Sequence, residues 1–568
     1  MTRENSIFPG LDALPSVPPL RSMLGLGKPM VEFSSHLARN PAALWKMPLE
    51  LGTSMAAIGA YAVGRSLGLK PEPVCGPERG DRRFRDDAWT DSLLYDVMKQ
   101  SYLAGAEALE QLIDRVEGFE GREADQVRFY ARQFISALSP SNFLLSNPEV
   151  MRRVIETRGE SLQRGLQNLI EDFSPEQGQL RISMTDPSAF DVGVNVATTP
   201  GKVVFQNELI QLLQFSPTTE QVHEKPLLIV PPWINKYYIL DLREDNSLIR
   251  WLVGQGYTLF VISWVNPDES LSHTGFEDYM RLGILAALDA IEQATGQPSV
   301  NAVGYCIGGT LLAATLARMA AEQDRRIDSA TFLTTQVDFS EAGELCVFID
   351  EHQLDLLEHQ MEKKGYLDGS QMATTFNMLR ANDLIWSFVI NNYLLGEKPK
   401  AFDLLYWNSD ATACRRRCTC TTCATCTCTT DWCSPMRSSW TVCRSTCAKS
   451  ISLSTCSRRS TITLRPYPSV YKATEHYSGP IRFMLAGSGH IAGVVNPPSA
   501  NKYFYMTNDD VPEFVEEWIE GAQRHEGSWW PDWDSWLSER SGPMVPAREP
   551  GSGALPALED APGSYVRG

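Results

Sequence analysis

The stretch that most constrains this chain is Gly304-Tyr305-Cys306-Ile307-Gly308-Gly309-Thr310. Ser299-Val300-Asn301-Ala302-Val303, just before it, is apolar and β-branched enough for a buried strand. Residues 310–323, just after it, are rich in Ala and Leu at helical spacing. Strand, sharp turn and helix, with a nucleophile between glycines at the turn, form the pattern of a nucleophile elbow. The glycines allow strand and helix to pack closely on either side. The side chain of Cys306 then stands at a helix N-terminus, where free N–H groups and the helix dipole favour a thiolate and a developing oxyanion. A lone Gly-x-Cys-x-Gly would suit a Cys packed as a small hydrophobe. The flanking strand and helix favour the nucleophile.

A Cys at this turn restricts the chemistry. Attack on an acyl thioester yields another thioester, so the acyl group stays activated for a second transfer, whereas Ser would hold it as a more stable ester. Acyl transfer from a thiol carrier suits Cys better than hydrolysis.

The surrounding pattern is α/β. Apolar runs at 226–230 and 257–264, a helix at 279–295, and runs at 331–335 and 481–485 alternate as expected of a parallel sheet. Residues 201–206 look like its opening strand. In such sheets the site forms beyond the C-terminal ends of the strands. That brings the loop Pro231-Pro232-Trp233-Ile234-Asn235-Lys236-Tyr237-Tyr238 beside Cys306 and offers the N–H groups of Ile234 and Ile307 as an oxyanion hole. His490 follows the run at 481–485, in the order nucleophile, acid, His of the α/β-hydrolase fold. None of the other His residues has both that order and that context.

Around this core, residues 1–190 read as a mostly helical domain, with helical spacing at 89–113 and 124–138. Gly80 to Trp89 reads as a salt-bridged turn. Residues 191–540 form the catalytic domain. A helical stretch at about 340–412 reads as a cap that excludes water. Residues 541–568, rich in Gly, Pro and Ala, read as a flexible tail.

The formal net charge of −18 argues against nucleic acid as a partner. No apolar run approaches a membrane span and the N-terminus lacks a signal pattern, so the expected compartment is the cytoplasm. Of the 13 Cys, all but Cys75, Cys306 and Cys346 lie between Cys414 and Cys456, and three is an ordinary number for a reducing compartment.

Several strings resemble the polyhydroxyalkanoate synthase family. They are the elbow, Pro231 to Tyr238, Gly80 to Trp89, Phe402-Asp403-Leu404-Leu405-Tyr406-Trp407-Asn408, Ser488 to Pro498, and Gly527-Ser528-Trp529-Trp530-Pro531-Asp532-Trp533. The elbow and the single long chain are similar to the class I enzymes. The resemblance implies polymerisation of short-chain (R)-3-hydroxyacyl-CoA, chiefly 3-hydroxybutyryl-CoA, by a homodimer on storage granules. CoA is then part of the substrate and a product, and no cofactor or metal is implied. Cys306 becomes the carrier of the growing chain and His490 the general base. Arg380 becomes a candidate for the CoA phosphates, though an ion pair within Leu379 to Leu384 accounts for it equally well. A thioesterase of the same fold, or a non-catalytic granule-binding relative, are the rival readings.

One segment, about 413–466, departs from the family. Its run Cys418-Thr419-Cys420-Thr421-Thr422-Cys423-Ala424-Thr425-Cys426-Thr427-Cys428-Thr429-Thr430 is of low complexity and implausible as a folded segment. A thiolate metal cluster is one reading, and a shifted reading frame is the other. Cys codons are TGY, Thr ACN and Ala GCN. Joining the third base of each codon to the first two of the next allows His-Met-His-Tyr-Leu-Arg-Asn-Met-Tyr-Leu-His-Asn, similar to a helix of the family. The same shift over Arg459 to Pro466 allows Glu-His-Asp-His-Ile-Ala-Pro, which resembles the motif around the family's catalytic Asp. Repair of both ends by one shift favours the frame explanation. The triad Asp would be encoded across Thr461 and Ile462, where the chain as written has no carboxylate.

Overall fold

The computed structural model describes residues 27–78, 80–174, 179–339, 343–348, 351–364, 366–367, 369–410, 412–415, 450–455 and 467–568. These fall into two compact units. One takes the described residues up to Asp186 together with Thr374–Ala401. The other takes Pro187–Ala373 and Phe402–Gly568.

The first unit is helical: α1 Gly27–Arg39, α2 Pro41–Ser66, α3 Leu93–Asp114, α4 Arg122–Ala137, α5 Pro148–Glu156 and α6 Glu160–Asp172. Phe33, Leu112, Ile113, Phe119 and Val127 form a core among α1, α3 and α4. Asp96, 1% exposed, ties α2 to α3. It accepts from Tyr61 at 2.5 Å and pairs with Arg65 at 2.8 Å and Lys99 at 3.1 Å. A carboxylate this deep is tolerated because cations and a hydroxyl replace its water. The Gly80 to Trp89 turn is salt-bridged as the sequence suggests. Arg83 pairs with Asp81 at 2.9 Å, Arg152 pairs with Asp86, and Phe84 meets Trp89 edge-on at 5.0 Å.

Part of the expected cap belongs to this helical unit. Asn168 donates to the Asn392 carbonyl at 2.9 Å, and Tyr393 donates to Asp172 at 2.6 Å. Gly165 lies so close to the Tyr393 backbone that a Cβ would sit 1.9 Å from its carbonyl oxygen. The local pattern of 374–401 is helical as expected. Which body it packs on depends on partners two hundred residues away.

The second unit is built on an 11-stranded sheet. Its strands are β1 Gly201–Gln206, β2 Ile210–Phe215, β3 Leu227–Val230, β4 Leu259–Trp264, β5 Val300–Tyr305, β6 Ile327–Leu333, β7 Ser450–Thr455, β8 Ile481–Ala486, β9 Phe504–Thr507, β10 Gln523–Glu526 and β11 Glu559–Asp560. The spatial order is β10-β9-β8-β7-β6-β5-β3-β4-β2-β1-β11. From β4 to β8 the sheet is parallel. The outer strands on both sides are antiparallel, a departure from the purely parallel expectation. Leu227 and Ile229 join one core cluster while Leu228 and Val230 join the other. The central strands are covered on both faces, which is why they read as unbroken apolar runs. From β3 the chain passes to β4 on one side and returns to β5 on the other. The C-terminal ends of β3 and β5 therefore flank the crevice where such sheets bind ligands.

Two expectations fail here. The tail is not free: Met544–Pro546 pairs with Gln221–His223, β11 pairs with β1, and Val566 is 1% exposed in the main core. Gly and Pro there serve turns between short pairings rather than a loose linker. Nor is the whole of 413–466 without structure, since β7 occupies a central slot between β6 and β8. The alternation Ser450-Ile451-Ser452-Leu453-Ser454-Thr455 has the period of a strand. The whole Cys/Thr run, and the positions Thr461 and Ile462, lie outside the described residues.

Candidate active site

Cys306 sits between β5 and helix α7, Ile307–Ala321. Its backbone has φ 56 and ψ −127, a region that non-glycine residues rarely enter, so the turn stores strain. The surroundings hold it there. Its N–H donates to the Leu333 carbonyl at 2.9 Å, and its carbonyl accepts from Gly309 at 3.0 Å and from the Thr335 hydroxyl at 3.2 Å. Thr310 donates to the Gln336 carbonyl at 2.8 Å, fastening the first turn of α7 to the loop after β6.

The three glycines have separate reasons. A Cβ on Gly304 would meet the Gly309 backbone at 2.4 Å. One on Gly308 would meet the carbonyl oxygens of Val230 and Pro231 at 2.4 and 2.5 Å. One on Gly309 would meet Thr335 Oγ1 at 1.9 Å. Strand, helix and the loop leaving β3 are thus in backbone contact at the elbow.

That contact brings the Pro231 to Tyr238 loop to Cys306. Val230 is the register partner of Gly304, and Ile234 and Ile307 both pack against the same core cluster. The Phe402 to Asn408 string fastens this loop: Trp407 donates its indole N–H to the Lys236 carbonyl at 2.7 Å, and Arg243 pairs with Asp403 at 2.7 Å. Burial pushes the Lys236 ammonium below its ordinary value, opposed by Asp410. Burial and Asp410 together push the Tyr238 hydroxyl up.

His490 lies on the loop after β8, and its ring stacks on Tyr305, the neighbour of Cys306, with centroids 5.7 Å apart and planes 21° from parallel. The Gly527 to Trp533 string holds this loop. Trp529 donates to the Gly493 carbonyl at 2.8 Å and Trp530 to the Val494 carbonyl at 2.9 Å, both indoles being buried. Gly487 leaves room for the Phe504 ring, which a Cβ would meet at 2.4 Å.

Arg380 belongs to the helical unit, where it pairs with Asp383 at 2.6 Å and is half exposed. The triad acid has no described position. β7 ends at Thr455, and no Asp or Glu stands between Asp431 and Glu475. Thr335 and Lys236 escaped the sequence reading. The only hint was a hydroxyl pair after a buried strand and a lone cation inside an apolar loop.

Two family models match the chain: "Poly-beta-hydroxybutyrate polymerase (PhaC) N-terminus" over residues 80–252 and "alpha/beta hydrolase fold" over residues 225–450. The chain is 47% identical over 533 residues to the poly(3-hydroxyalkanoate) polymerase of Methylorubrum extorquens, covering 93% of this chain and 87% of that one. It is 43% identical to the polymerase subunit PhaC of Rhizobium meliloti, covering 95% and 88%. Against the subunit PhaC of Cupriavidus necator it is 40% identical, covering 99% and 91%.

Proposed function

The chain belongs to the poly(3-hydroxyalkanoate) polymerase family of acyltransferases, and on that premise we propose that it extends a polyester from (R)-3-hydroxyacyl-CoA, chiefly 3-hydroxybutyryl-CoA. The observation that carries this reading is Cys306 in a strained turn at the head of α7, one residue from the ring that stacks on His490. The Cys306 thiolate attacks the thioester carbonyl carbon. The N–H groups of Ile307 and Ile234 hold the oxyanion, and the C–S bond to CoA breaks. His490 takes the thiol proton and returns it to the departing CoA thiolate. The 3-hydroxyl of one unit then attacks the thioester of another, with His490 accepting its proton, so that an ester forms and a thiol is released. The reaction consumes no oxidant and needs no cofactor.

A homodimer working at a granule surface completes the proposal. What supports the surface is the helical unit, where Trp45, Leu49 and Val63 on α2 are largely exposed. No helix among the described residues is long and apolar enough to cross a membrane.

The missing carboxylate favours a second reading for the chain as written. A triad acid orients the His and stabilises its charged form, and its loss slows such enzymes by roughly 10³-fold or more. A shifted frame over 413–466 restores an Asp across Thr461 and Ile462, just after β7, and that restored chain is the proposed active form. A peptide-mass map of residues 408–475 from the source organism decides which chain is made. Thiol release and recovered polymer are then measured for that chain and for Cys306→Ala. Polymer and CoA from the parent, lost in Cys306→Ala, support the polymerase. Free hydroxy acid in place of polymer makes the protein a thioesterase. No CoA release from a chain verified as written leaves a granule-binding relative.

A further inference from the structure

The loop carrying Ile234 is held from several directions. Trp264 donates to the Pro231 carbonyl at 2.8 Å, Trp407 to the Lys236 carbonyl, and Tyr238 to Asp410 at 2.8 Å. The remaining hold is the Lys236 side chain, only 3% exposed. Its Nζ donates to the Val566 carbonyl at 2.8 Å and the Gly568 carbonyl at 2.5 Å. The nearest side-chain carboxylate oxygen, on Asp410, is 4.0 Å away, too far for a hydrogen bond. An ammonium taken out of water is costly unless its N–H groups are satisfied. Here the main-chain oxygens of Val566 and Gly568 do most of that, so the loop cannot shift without losing the solvation of a buried charge.

The segment that offers those carbonyls is itself well anchored. β11 pairs with β1, Tyr565 donates its hydroxyl to the Asn207 carbonyl at 2.6 Å, and its N–H donates to Gln211 at 3.0 Å. Val566 lies in the core cluster that also holds Cys306 and Tyr237. An apolar side chain at 236 would fill the same space without the desolvation cost. A cation at this position therefore points to a directional task rather than to packing.

We propose that Lys236 is a positioning residue: clasped by the carbonyls of Val566 and Gly568, it fixes the loop so that the Ile234 N–H faces the oxyanion formed at Cys306. The clasp rests on the geometry above, and its catalytic consequence rests on the acyl-transfer reading. Residues 559–568, beyond the last large helix, thereby take part in the chemistry without touching substrate.

The test compares the parent chain with Lys236→Met, Lys236→Arg and a chain ending at Ser564. Deuterium exchange is read in peptides covering 231–240 and 559–568, with peptides of α3 as the control. The clasp requires faster exchange in both regions of Lys236→Met, partial return in Lys236→Arg, and an unchanged control. Unchanged exchange in 231–240 overturns it, whatever the activity. The second readout is the ratio of two rates at Cys306, CoA release from an acyl-CoA in a single turnover and alkylation by iodoacetamide. Only the first needs an oxyanion hole. The ratio is expected to fall about tenfold to a hundredfold in Lys236→Met and in the shortened chain, and their combination is expected to add nothing further. An unchanged ratio with faster exchange overturns the catalytic role of the clasp. A parent chain that carries the restored Asp and alkylates but releases no CoA overturns the acyl-transfer reading instead, and exchange still decides the clasp.

Discussion

Tyr305 and His490 stack ring on ring at 5.7 Å, so the residue beside the proposed nucleophile forms the platform for the candidate base. The last residue of β5 and the loop after β8 come from strands separated in the sheet by β6 and β7. Through the stack, the position of His490 is set from the same turn that sets Cys306.

Tyr305→Leu keeps an apolar side chain but removes that platform. CoA release is expected to fall roughly tenfold to a hundredfold, the scale of a misplaced catalytic group, while alkylation of Cys306 stays near the parent rate. Equal loss of both rates would point instead to collapse of the elbow.

Gly309→Ala places a methyl group 1.9 Å from Thr335 Oγ1 and 2.8 Å from its Cβ. Either α7 lifts from β6 or Thr335 leaves the Cys306 carbonyl. Overpacking of this kind costs about 1–3 kcal/mol, to be read as a lower midpoint in urea. A midpoint equal to the parent's would mean that the contact between α7 and Thr335 is looser than described.

Trp529→Phe and Trp530→Phe each keep an aromatic ring and remove one N–H. The Gly493 carbonyl then loses its buried donor, at about 1–3 kcal/mol, while the Val494 carbonyl keeps the Asn496 N–H at 3.1 Å and loses one bond of two, at about 0.5–1.5 kcal/mol. The loop bearing His490 is expected to exchange deuterium faster and the pH profile of CoA release to broaden or shift. A loss of stability with an unchanged profile would confine both indoles to packing.

Asp86→Asn reports on the helical unit. The Arg152 guanidinium, more than the opposing effect of burial, holds the Asp86 carboxyl below its ordinary value. A carboxyl depressed in the folded state stabilises above its unfolded pKa, 3.8, and loses that contribution as pH falls through the depressed value. Melting temperatures of parent and variant should differ at about pH 6 and converge as pH falls through the depressed value. A gap independent of pH would assign the effect to the hydrogen bond with Ala88 rather than to charge.

Legibility along the chain followed the range of the interactions. The strands at 227–230, 259–264 and 300–305 could be read because burial on both faces leaves mostly apolar runs, and those at 201–206 and 481–486 from the shorter apolar stretches Val203-Val204-Phe205 and Phe483-Met484-Leu485. The antiparallel strands β9 and β10 could not, since Phe504–Thr507 is only half-buried and Gln523–Glu526 is polar and largely exposed. Residues 374–401 read as helix, but the Tyr393 carbonyl against Gly165 decides which unit they join. Composition misled for residues 541–568, where Val566 and β11 depend on partners more than three hundred residues away.

The strand, the turn and the helix around Cys306 were legible in the residues alone, because a Cys between glycines, an apolar run and a helical period are local facts, and local steric rules act on neighbours. What holds that turn and its neighbouring loops in register emerged from the folded chain. Thr335 braces Gly309, Trp529 and Trp530 grip the His490 loop, and Lys236 meets the carbonyls of Val566 and Gly568. Each joins residues far apart in the chain. Their pairing follows from satisfying buried donors, acceptors and charge in three dimensions, a condition that no window of sequence expresses.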